Sequence, residues 1–326
     1  MTGNLPILAR TVLLVPQRNS FVIRAISIKN LRGIREGILD QLTELVVLVG
    51  PNSSGKSTIL DALMVGASPS PVDGFNQILN RRPNFPQNTQ WLIFRDKGRQ
   101  LGPSEITVKT DAPPPRRVIL SQQGNVPTGG LQVSSQNVGP LQDVPDIKLV
   151  DPATNRLPLA DLYTLVAEQG LTKQAKSIIT ELLPEVQDIQ ILTQQGQPAV
   201  YLDYKNGSKP LATAGDGVRL LLQQSLELAA LAGGVVLLEE PEVHMHPGAI
   251  RQSARAMLAA VGRRIQVIVT THSLELIDSL LSEAKTEDLD KLSFYRLQIE
   301  DGILKSYRHT GTEASRARTQ IEDDLR

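Results

Sequence analysis

The amino-acid sequence predicts an α/β fold: a mixed sheet with an antiparallel N-terminal part and a parallel core covered by helices, plus a small helical lobe. Two observations carry this prediction. Short alternating strands come first, at residues 21–28 and 36–39. Later, apolar strands at 45–49, 235–238 and 265–269 alternate with helical patterns, as in parallel sheets that are buried on both faces.

The composition of the 326-residue chain narrows the class of protein. Hydrophobic residues make up 40% of it, enough for a sizeable core, but aromatic residues only 3%, so the core must be largely aliphatic. Lys and Arg together number 34, as do Asp and Glu, which excludes a globally basic nucleic-acid-binding surface. The chain has no cysteine, which excludes disulfides and thiolate metal sites.

Membrane and export signals are weak in this sequence. The longest uninterrupted apolar stretch, residues 229–238, is about half of a membrane span. The N-terminal apolar residues are interrupted by Pro6 and Arg10, and no basic leader or small-residue cleavage site accompanies them. We therefore expect a cytoplasmic protein that does not associate with a membrane.

The chain is expected to form one domain over residues 21–310, after a loose lead-in at 1–20 and before a charged tail at 311–326. Residues 67–156 are expected to be a variable insertion. Its beginning, 67–90, has the composition of an irregular connection, and 121–146 are rich in Gln, Gly, Asn and Ser, as in a long loop. Aliphatic residues at helical spacing predict the helical lobe, over residues 157–186.

Residues 50–58 carry the most specific motif, because they follow an apolar strand and match the phosphate-binding pattern G-x-x-x-x-G-K-[ST] in full. The two glycines let the backbone fold around phosphate oxygens, and the next helix adds its positive N-terminal end. Lys56 can reach the β- and γ-phosphates as a catalytic cation, and Ser57 can bind Mg²⁺. The alternative is a glycine turn that matches the pattern by chance, but such a turn would not be expected between a strand and a helix. The expected nucleotide-binding residues of this loop are Gly50, Asn52, Ser53, Ser54, Gly55, Lys56, Ser57 and Thr58.

A second apolar strand, residues 235–238, ends in the carboxylates of Glu239 and Glu240. This is the Walker B arrangement, in which the first acid binds Mg²⁺ directly or through water and the second polarises the attacking water. We assign Glu239 to the metal and Glu240 to catalysis. The alternative is an acidic strand end that caps the next helix.

The third apolar strand, residues 265–269, leads into Thr270-Thr271-His272-Ser273. A histidine there can hydrogen-bond the γ-phosphate or the attacking water, so His272 is a catalytic candidate. The alternative is that Thr271, His272 or Ser273 only caps the helix that begins near Leu274.

A further segment, residues 211–219, places small residues at the start of a helix. Gly215, Asp216 and Gly217 would form a second phosphate-facing helix N-terminus. Because one loop already serves the chain's own nucleotide, a second such element suggests contact with the nucleotide of a partner subunit. The alternative is an ordinary loop-to-helix turn.

Together these residues resemble an ABC-type ATPase head of the kind found in the SMC, RecF and OLD (overcoming lysogenization defect) ATPases, and most closely the OLD-like group of prokaryotic AAA-labelled ATPases. The resemblance covers residues 21–70 and 205–310 well and the middle only by architecture. The most specific segment of the resemblance is Glu239-Glu240-Pro241-Glu242-Val243-His244-Met245-His246-Pro247. Transporter ATPases do not usually have this segment. The other segments that carry the resemblance are 26–34, 50–57 and 270–273.

The resemblance implies a role for each motif. Lys56 and Ser57 would be Walker A residues, Glu239 the Walker B acid and Glu240 the catalytic glutamate. His272 would lie in the H-loop, and residues 213–219 would be the signature motif, which contacts ATP across a head-to-tail dimer of two copies of the chain.

This sequence departs from the family pattern at several of these positions. Glu239 stands where Asp is usual, Ala214 or Gly215 where Ser is usual, and Asp216 where Gly is common. His246 would lie in the D-loop; a metal pair with His244 is the alternative, but no third ligand is clustered nearby. The Q-loop residue is left open between Gln77, Gln87 and Gln90.

The implied function is that of an ATP-binding and ATP-hydrolysing ABC-type ATPase, with ATP and Mg²⁺ as ligands. Its dimer would couple ATP turnover to DNA-linked work, such as repair or anti-phage defence, through a partner effector. OLD-type proteins often carry a C-terminal Toprim nuclease, but only residues 308–326 follow the last predicted strand here. DNA cleavage would therefore need a nuclease on a partner chain.

Two alternative functions remain. One is a nucleotide-gated scaffold with little hydrolysis, which the degenerate signature favours. The other is a transporter ATPase subunit, which needs a groove for a transmembrane partner and a stronger signature. Basic residues that could contact DNA phosphates, or be solvated surface charges, occur at Arg81-Arg82, Arg95-Lys97-Arg99, Arg116-Arg117 and Arg263-Arg264.

Overall fold

The structure is a computed structural model, and it describes residues 22–81, 89, 91–111, 114–122, 131–136, 146–150, 158–231 and 233–318. The predicted lead-in at 1–20, the two glutamines Gln87 and Gln90, and residues 319–326 of the predicted tail lie outside the described residues. The domain boundaries stay predictions.

The described strands are β1 (Ile23–Leu31), β2 (Ile34–Leu39), β3 (Leu45–Val49), β4 (Arg95–Asp96), β5 (Arg99–Gln100), β6 (Ser104–Thr110), β7 (Arg116–Gln122), β8 (Leu131–Gln136), β9 (Ile147–Val150), β10 (Val186–Gln194), β11 (Gln197–Tyr204), β12 (Gly207–Pro210), β13 (Gly234–Glu239), β14 (Ile265–Thr270), β15 (Leu292–Glu300) and β16 (Ile303–Thr310). The described α-helices are α1 (Lys56–Ala67), α2 (Pro71–Asn80), α3 (Leu159–Glu168), α4 (Thr172–Leu182), α5 (Asp216–Ala229), α6 (Pro247–Gly262), α7 (Leu274–Glu283) and α8 (Gly311–Arg316).

The main sheet has eleven strands among the described residues, in the order β8-β7-β6-β1-β2-β16-β15-β3-β14-β13-β9. Strands β3, β14, β13 and β9 run parallel to one another. Strands β8, β7, β6, β1 and β2 are antiparallel, as is the β15–β16 hairpin. Strand β15 runs parallel to β3 and joins the two parts. The predicted mixed sheet with a parallel core is confirmed.

Strand β3 is apolar at every position because both of its faces are buried. In β3, Leu45, Val47 and Val49 pack into one hydrophobic core, together with residues of α3 to α7. Val46 and Leu48 point to the other face and pack with α1 and the antiparallel strands. The sheet is therefore covered by helices on both sides, as predicted.

The segment predicted as a helical lobe contains α3 and α4, which pack on α5. It is followed by the small sheet β10-β11-β12, whose first turn contains Gln195 and Gly196. Within the described parts of the chain, no helix has both the length and the apolar character needed to span a membrane.

Two expectations about the insertion are wrong. Residues 67–90 were expected to be irregular, but they contain α2, for which Ser70 is the N-cap and accepts a hydrogen bond from the Asp73 amide. The Ser-Pro pair at Ser70 and Pro71 is a helix start, because proline suits the first helical position and lacks the amide hydrogen that would go unpaired there.

The expected long loop over residues 121–146 is also interrupted. Strand β8 lies within it and pairs with β7 at one edge of the sheet. Strand β9 follows directly and pairs with β13 at the other edge. Strand β8 has one side open to solvent and only two apolar residues of six, so it resembles a loop in sequence. Strand β9 has three apolar residues of four but is too short to give a clear strand pattern.

Candidate nucleotide-binding site

The loop between β3 and α1 adopts a backbone that requires glycine. Gly50 has φ 142° and Gly55 has φ 97°, both in the region that favours glycine. A Cβ atom added at Gly50 would lie 2.5 Å from the Leu297 carbonyl oxygen and 2.8 Å from Ser54 Oγ. The first motif glycine is therefore fixed by its close contact with β15.

The start of α1 offers hydrogen-bond donors that the described residues do not satisfy. No side chain caps this end of α1 in the described structure, and its first turn carries no acidic residue. Ser54 Oγ is buried and has no hydrogen-bond partner among the described residues. Asn52 and Ser53 are exposed in the loop, and Thr58 is buried in α1. Such a helix end suits an anionic phosphate.

The side chain of Lys56 is buried and folds back over the loop. Its Nζ donates to the Gly50 carbonyl at 2.8 Å and to the Pro51 carbonyl at 3.1 Å. Burial lowers the pKa of Lys56, and the nearby carboxylates of Glu240 and Glu242 oppose that shift. The ammonium group therefore shares its electrostatic environment with the loop that follows β13.

The carboxyl ends of β3, β14 and β13 meet because these strands are parallel neighbours in the sheet. The Thr271 amide donates to the Leu48 carbonyl at 3.1 Å, and the Glu240 amide donates to the Thr270 carbonyl at 3.0 Å. Backbone hydrogen bonds thus align the ends of the three strands. This edge brings together the P-loop, the two Walker B acids and His272.

Glu240 and His272 face each other at this edge. Glu239 is the last residue of β13, opposite Thr270, and Glu240 follows it with φ 44°. A left-handed backbone is uncommon for a glutamate and carries a local energy cost, as often found at functional sites. His272 Nε2 lies 3.2 Å from Glu240 Oε1, close enough to donate a hydrogen bond.

Glu242 is a further residue of this candidate site, and the sequence motifs predicted no role for it. Its Oε1 accepts hydrogen bonds from the Thr271 hydroxyl and from the His272 amide, the latter at 3.2 Å. Its Oε2 is buried without a hydrogen-bond partner among the described residues. Burial raises the pKa of Glu242 despite the hydrogen bond from Thr271. The available signal was a third carboxylate just beyond the Walker B pair.

Three of the arginines considered for DNA contact have structural roles. Arg81, at the C-terminal end of α2, is buried and contacts both Asp61 and Glu239. Arg116 is also buried and donates to the carbonyls of Ala67 and Ser68, at 2.9 and 2.6 Å. Arg263 donates to the Leu228 carbonyl at 2.6 Å. Arg81 and Arg116 are buried, so a solvated surface charge is wrong for these two. A contact of any of the three with DNA phosphate stays a prediction.

The signature segment lies before α5. Gly215 is the N-cap of α5, and the exposed side chains of Asp216 and Arg219 approach to 3.5 Å. A Cβ atom added at Gly217 would lie 2.8 Å from the His244 carbonyl oxygen. The segment therefore packs against the loop that follows Glu240 in the same chain.

The two histidines of the following loop do not form a metal cluster in the described structure. His246 is the N-cap of α6, and its Nδ1 accepts from the Gly248 amide at 3.3 Å. No group of three or more His, Asp or Glu side chains in the described ranges could hold a metal ion together. Gln77 is exposed on α2, and its Q-loop role stays a prediction.

Two family models match the chain over two separate ranges. Residues 22–94 match the model described as "AAA ATPase domain". Residues 168–278 match the model described as "AAA domain, putative AbiEii toxin, Type IV TA system". An uncharacterized protein of Methanocaldococcus jannaschii is 30% identical over 93 residues, which are 28% of this chain and 82% of that protein.

Solved structures of SMC heads share the fold. The SMC head domain from Thermotoga maritima is 14% identical, with a TM-score of 0.53 over 88% of this chain and 98% of that one. The Smc head domain with an extended coiled coil from Pyrococcus furiosus, bound to the C-terminal domain of ScpA, is 12% identical, with a TM-score of 0.60 over 93% of this chain and 100% of that one. The chain therefore belongs with the AAA-type P-loop ATPases and has the fold of an ABC- and SMC-like ATPase head.

Proposed function

We propose that this chain binds ATP with Mg²⁺ at the sheet edge formed by β3, β14 and β13 and hydrolyses it to ADP and phosphate. P-loop ATPases of this kind bind ATP. The observation that carries the proposal of hydrolysis is the 3.2 Å contact between Glu240 Oε1 and His272 Nε2, beside Lys56. A carboxylate oriented by a histidine at this edge is suited to accept a proton from water.

The phosphates would be held by two kinds of donor. Some have no hydrogen-bond partner among the described residues, and Lys56 donates to carbonyls of the P-loop. The open end of α1 and the buried hydroxyl of Ser54 supply neutral donors. Lys56 would exchange its hydrogen bonds to Gly50 and Pro51 for phosphate oxygens and add a positive charge.

The donor set fits a magnesium ion. Ser57 supplies a hydroxyl and Glu239 a carboxylate, and Mg²⁺ prefers one or two such oxygen ligands together with substrate phosphates and water. Bound there, the ion would neutralise charge on the phosphate oxygens. Glu240 would then take the proton of the attacking water, while His272 fixes the orientation of its carboxylate.

Steady-state ATP hydrolysis by wild type and Glu240→Gln tests this proposal. We expect turnover to fall about 10²- to 10⁴-fold in the variant, because a positioned general base contributes that much, while ATP affinity is retained. Glu287→Gln, at an exposed carboxylate paired with Lys285, is the matched control and should hydrolyse ATP normally. Equal inactivity of wild type and Glu240→Gln, with ATP still bound, would show that hydrolysis is not the function.

We also propose that two copies of the chain meet head to tail, so that residues 213–219 of one copy face the nucleotide of the other. The exposure of Gly215 and Asp216 supports this, since these residues are accessible to a partner. Light scattering of Glu240→Gln with and without ATP tests it, because slow hydrolysis should keep the dimer assembled. A monomer under both conditions would contradict it.

The biological role proposed here is cytoplasmic, DNA-linked work with a partner effector such as a nuclease. It is supported by the resemblance of residues 239–247 to OLD-like ATPases and by the absence of cysteine, which fits a reducing compartment. The similar Smc head from Pyrococcus furiosus is bound to a partner protein, ScpA. Purification of the chain from cells tests this role. Co-purification with a nuclease or with DNA would support it, and purification of the chain alone would argue against it.

A nucleotide-gated scaffold is the second candidate, and one observation favours it. The first turn of α5 carries the acidic Asp216, whose side chain is 75% exposed. A carboxylate at that position would repel the phosphates of a nucleotide on a partner copy and weaken a closed dimer. Low wild-type turnover with normal ATP binding would support this candidate.

A further inference from the structure

Two arginines and two carboxylates form a cluster that joins α1 to the end of β13. Asp61, in α1, is fully buried. Each of its oxygens binds a different arginine: Oδ1 accepts from Arg81 at 2.9 Å, and Oδ2 accepts from Arg32 at 2.6 Å. The second terminal nitrogen of Arg81 contacts Glu239 Oε2. Among these four described side chains the formal charges cancel, which lowers the cost of burying them.

Arg81 is held in place at both of its ends. Its backbone amide closes the last turn of α2 by donating to the Gln77 carbonyl at 3.2 Å. Its side chain is only 4% exposed, and its two terminal nitrogens point to different carboxylates. The planar guanidinium group fixes the angle between these contacts, which a lysine could not do.

We infer that Arg81 is a positioning residue for the Walker B carboxylate: it anchors Glu239 Oε2 to the buried Asp61 and so presents the Glu239 carboxylate to the metal of the nucleotide site. This inference rests on the proposed function. A carboxylate has two oxygens, so Glu239 can keep Arg81 on one and offer the other to a cation. Outer partners of this kind typically change metal affinity about 10- to 100-fold when they are removed.

The charge balance of the cluster explains how an arginine can support a cation site. Alone, Arg81 would repel a divalent ion bound to Glu239. Asp61 lies on the opposite side of the guanidinium group and neutralises it. The extra methylene of Glu239, compared with the usual aspartate, gives its carboxylate the length to bind both a buried arginine and a cation.

Binding of a fluorescent, non-hydrolysable ATP analogue at varied Mg²⁺ concentration tests the inference with two readouts. One is the affinity for the analogue in EDTA, and the other is the Mg²⁺ concentration at which affinity is half enhanced. For Arg81→Met we expect the affinity in EDTA to be unchanged and the Mg²⁺ midpoint to rise about 10-fold or more. Arg81→Lys keeps the positive charge but loses the planar guanidinium group that binds two carboxylates. Its Mg²⁺ midpoint should therefore rise, but by less than that of Arg81→Met.

Arg32→Ala is the matched control, because it removes the other arginine from Asp61 and leaves Arg81 between Asp61 and Glu239. Its Mg²⁺ midpoint should equal that of wild type. An unchanged midpoint in Arg81→Met and Arg81→Lys would overturn the inference, and so would an equal shift in Arg32→Ala. If Arg81→Met does not fold, Arg81→Lys decides alone.

The same titration separates this inference from the proposed function. If the analogue binds wild type with no dependence on Mg²⁺, the metal role of Glu239 fails, and the role of Arg81 fails with it. If wild type depends on Mg²⁺ and the Arg81 variants behave identically, only the role of Arg81 fails.

Discussion

Helices α1 and α5 begin in the same way but have different surroundings. Each starts at a glycine, Gly55 or Gly215, and neither has a side-chain cap in the described structure. The first turn of α1 has no acidic residue, whereas that of α5 carries Asp216, which pairs with Arg219. The positive end of α1 is left for a ligand, while that of α5 is partly neutralised by its own chain.

The neighbours of the two helices differ even more. Around the start of α1, Lys56 of the helix itself lies at one polar edge with Glu240 and His272, which follow β13 and β14. The start of α5 lies on the surface, where Gly215 and Asp216 are exposed and Gly217 packs against the His244 backbone. Similar local sequence thus produces an enclosed polar site in one place and an open surface in the other.

The largest effect on ATP binding is expected from Lys56→Ala, which removes the positive charge from the enclosed candidate site. Loss of charge-assisted hydrogen bonds worth about 1.5–3 kcal/mol should weaken ATP binding about 10- to 150-fold. Titration with a fluorescent ATP analogue measures it. Lys285→Ala, at an exposed lysine, is the control and should bind as wild type does. Normal affinity in Lys56→Ala would refute the site assignment.

A pair of glycine substitutions sharpens the description of the α5 start. In Gly217→Ala the added Cβ would lie 2.8 Å from the His244 carbonyl, and such overpacking should cost about 1–3 kcal/mol of unfolding free energy. In Gly215→Ala nothing lies within 4 Å of the added atom and φ is −62°, so stability should stay within about 0.5 kcal/mol. Urea unfolding compares the two.

Equal stabilities of these two glycine variants would contradict the described packing of α5 on the His244 loop. If Gly215→Ala is stable but reduces ATP-dependent dimerisation, the open surface at Gly215 is where the partner copy binds.

The smallest effect concerns Glu242, which links the loop after β13 to the loop after β14. Its pKa is raised in the folded chain, so the folded state holds this proton more tightly than the unfolded chain does. The stability that Glu242 contributes is therefore fully present below its ordinary pKa of 4.5 and is lost as pH rises through the higher folded value.

Glu242→Gln carries no such titration, so its stability relative to wild type should increase as pH rises above 4.5. We expect a difference of about 1 kcal/mol or less, the usual size for a single substitution. Urea unfolding of wild type, Glu242→Gln and the control Glu287→Gln across this range measures it. A difference that stays constant with pH, or that decreases, would show that burial does not raise the pKa of Glu242.

The sequence predicted the parts of the candidate site whose signal is local, and their roles in binding and catalysis stay predictions. The P-loop, the Walker B pair and His272 each follow an apolar strand, and such strands are recognisable because burial on both faces removes their polar residues. Helix α2 was missed because its Ser-Pro start resembles a loop. Strand β9 was missed because four residues are too few to give a clear strand pattern.

The sequence by itself determined the strand types, the glycine loop and the identity of the acids at the strand ends. Only the tertiary structure decided which polar groups meet: Glu242 binds the Thr271-His272 turn, and Arg81 joins Asp61 to Glu239. The reason is physical. Periodicity reports whether a residue is buried and what its local backbone does, whereas a contact between strand ends depends on strand order and register, which are set by packing of the whole sheet.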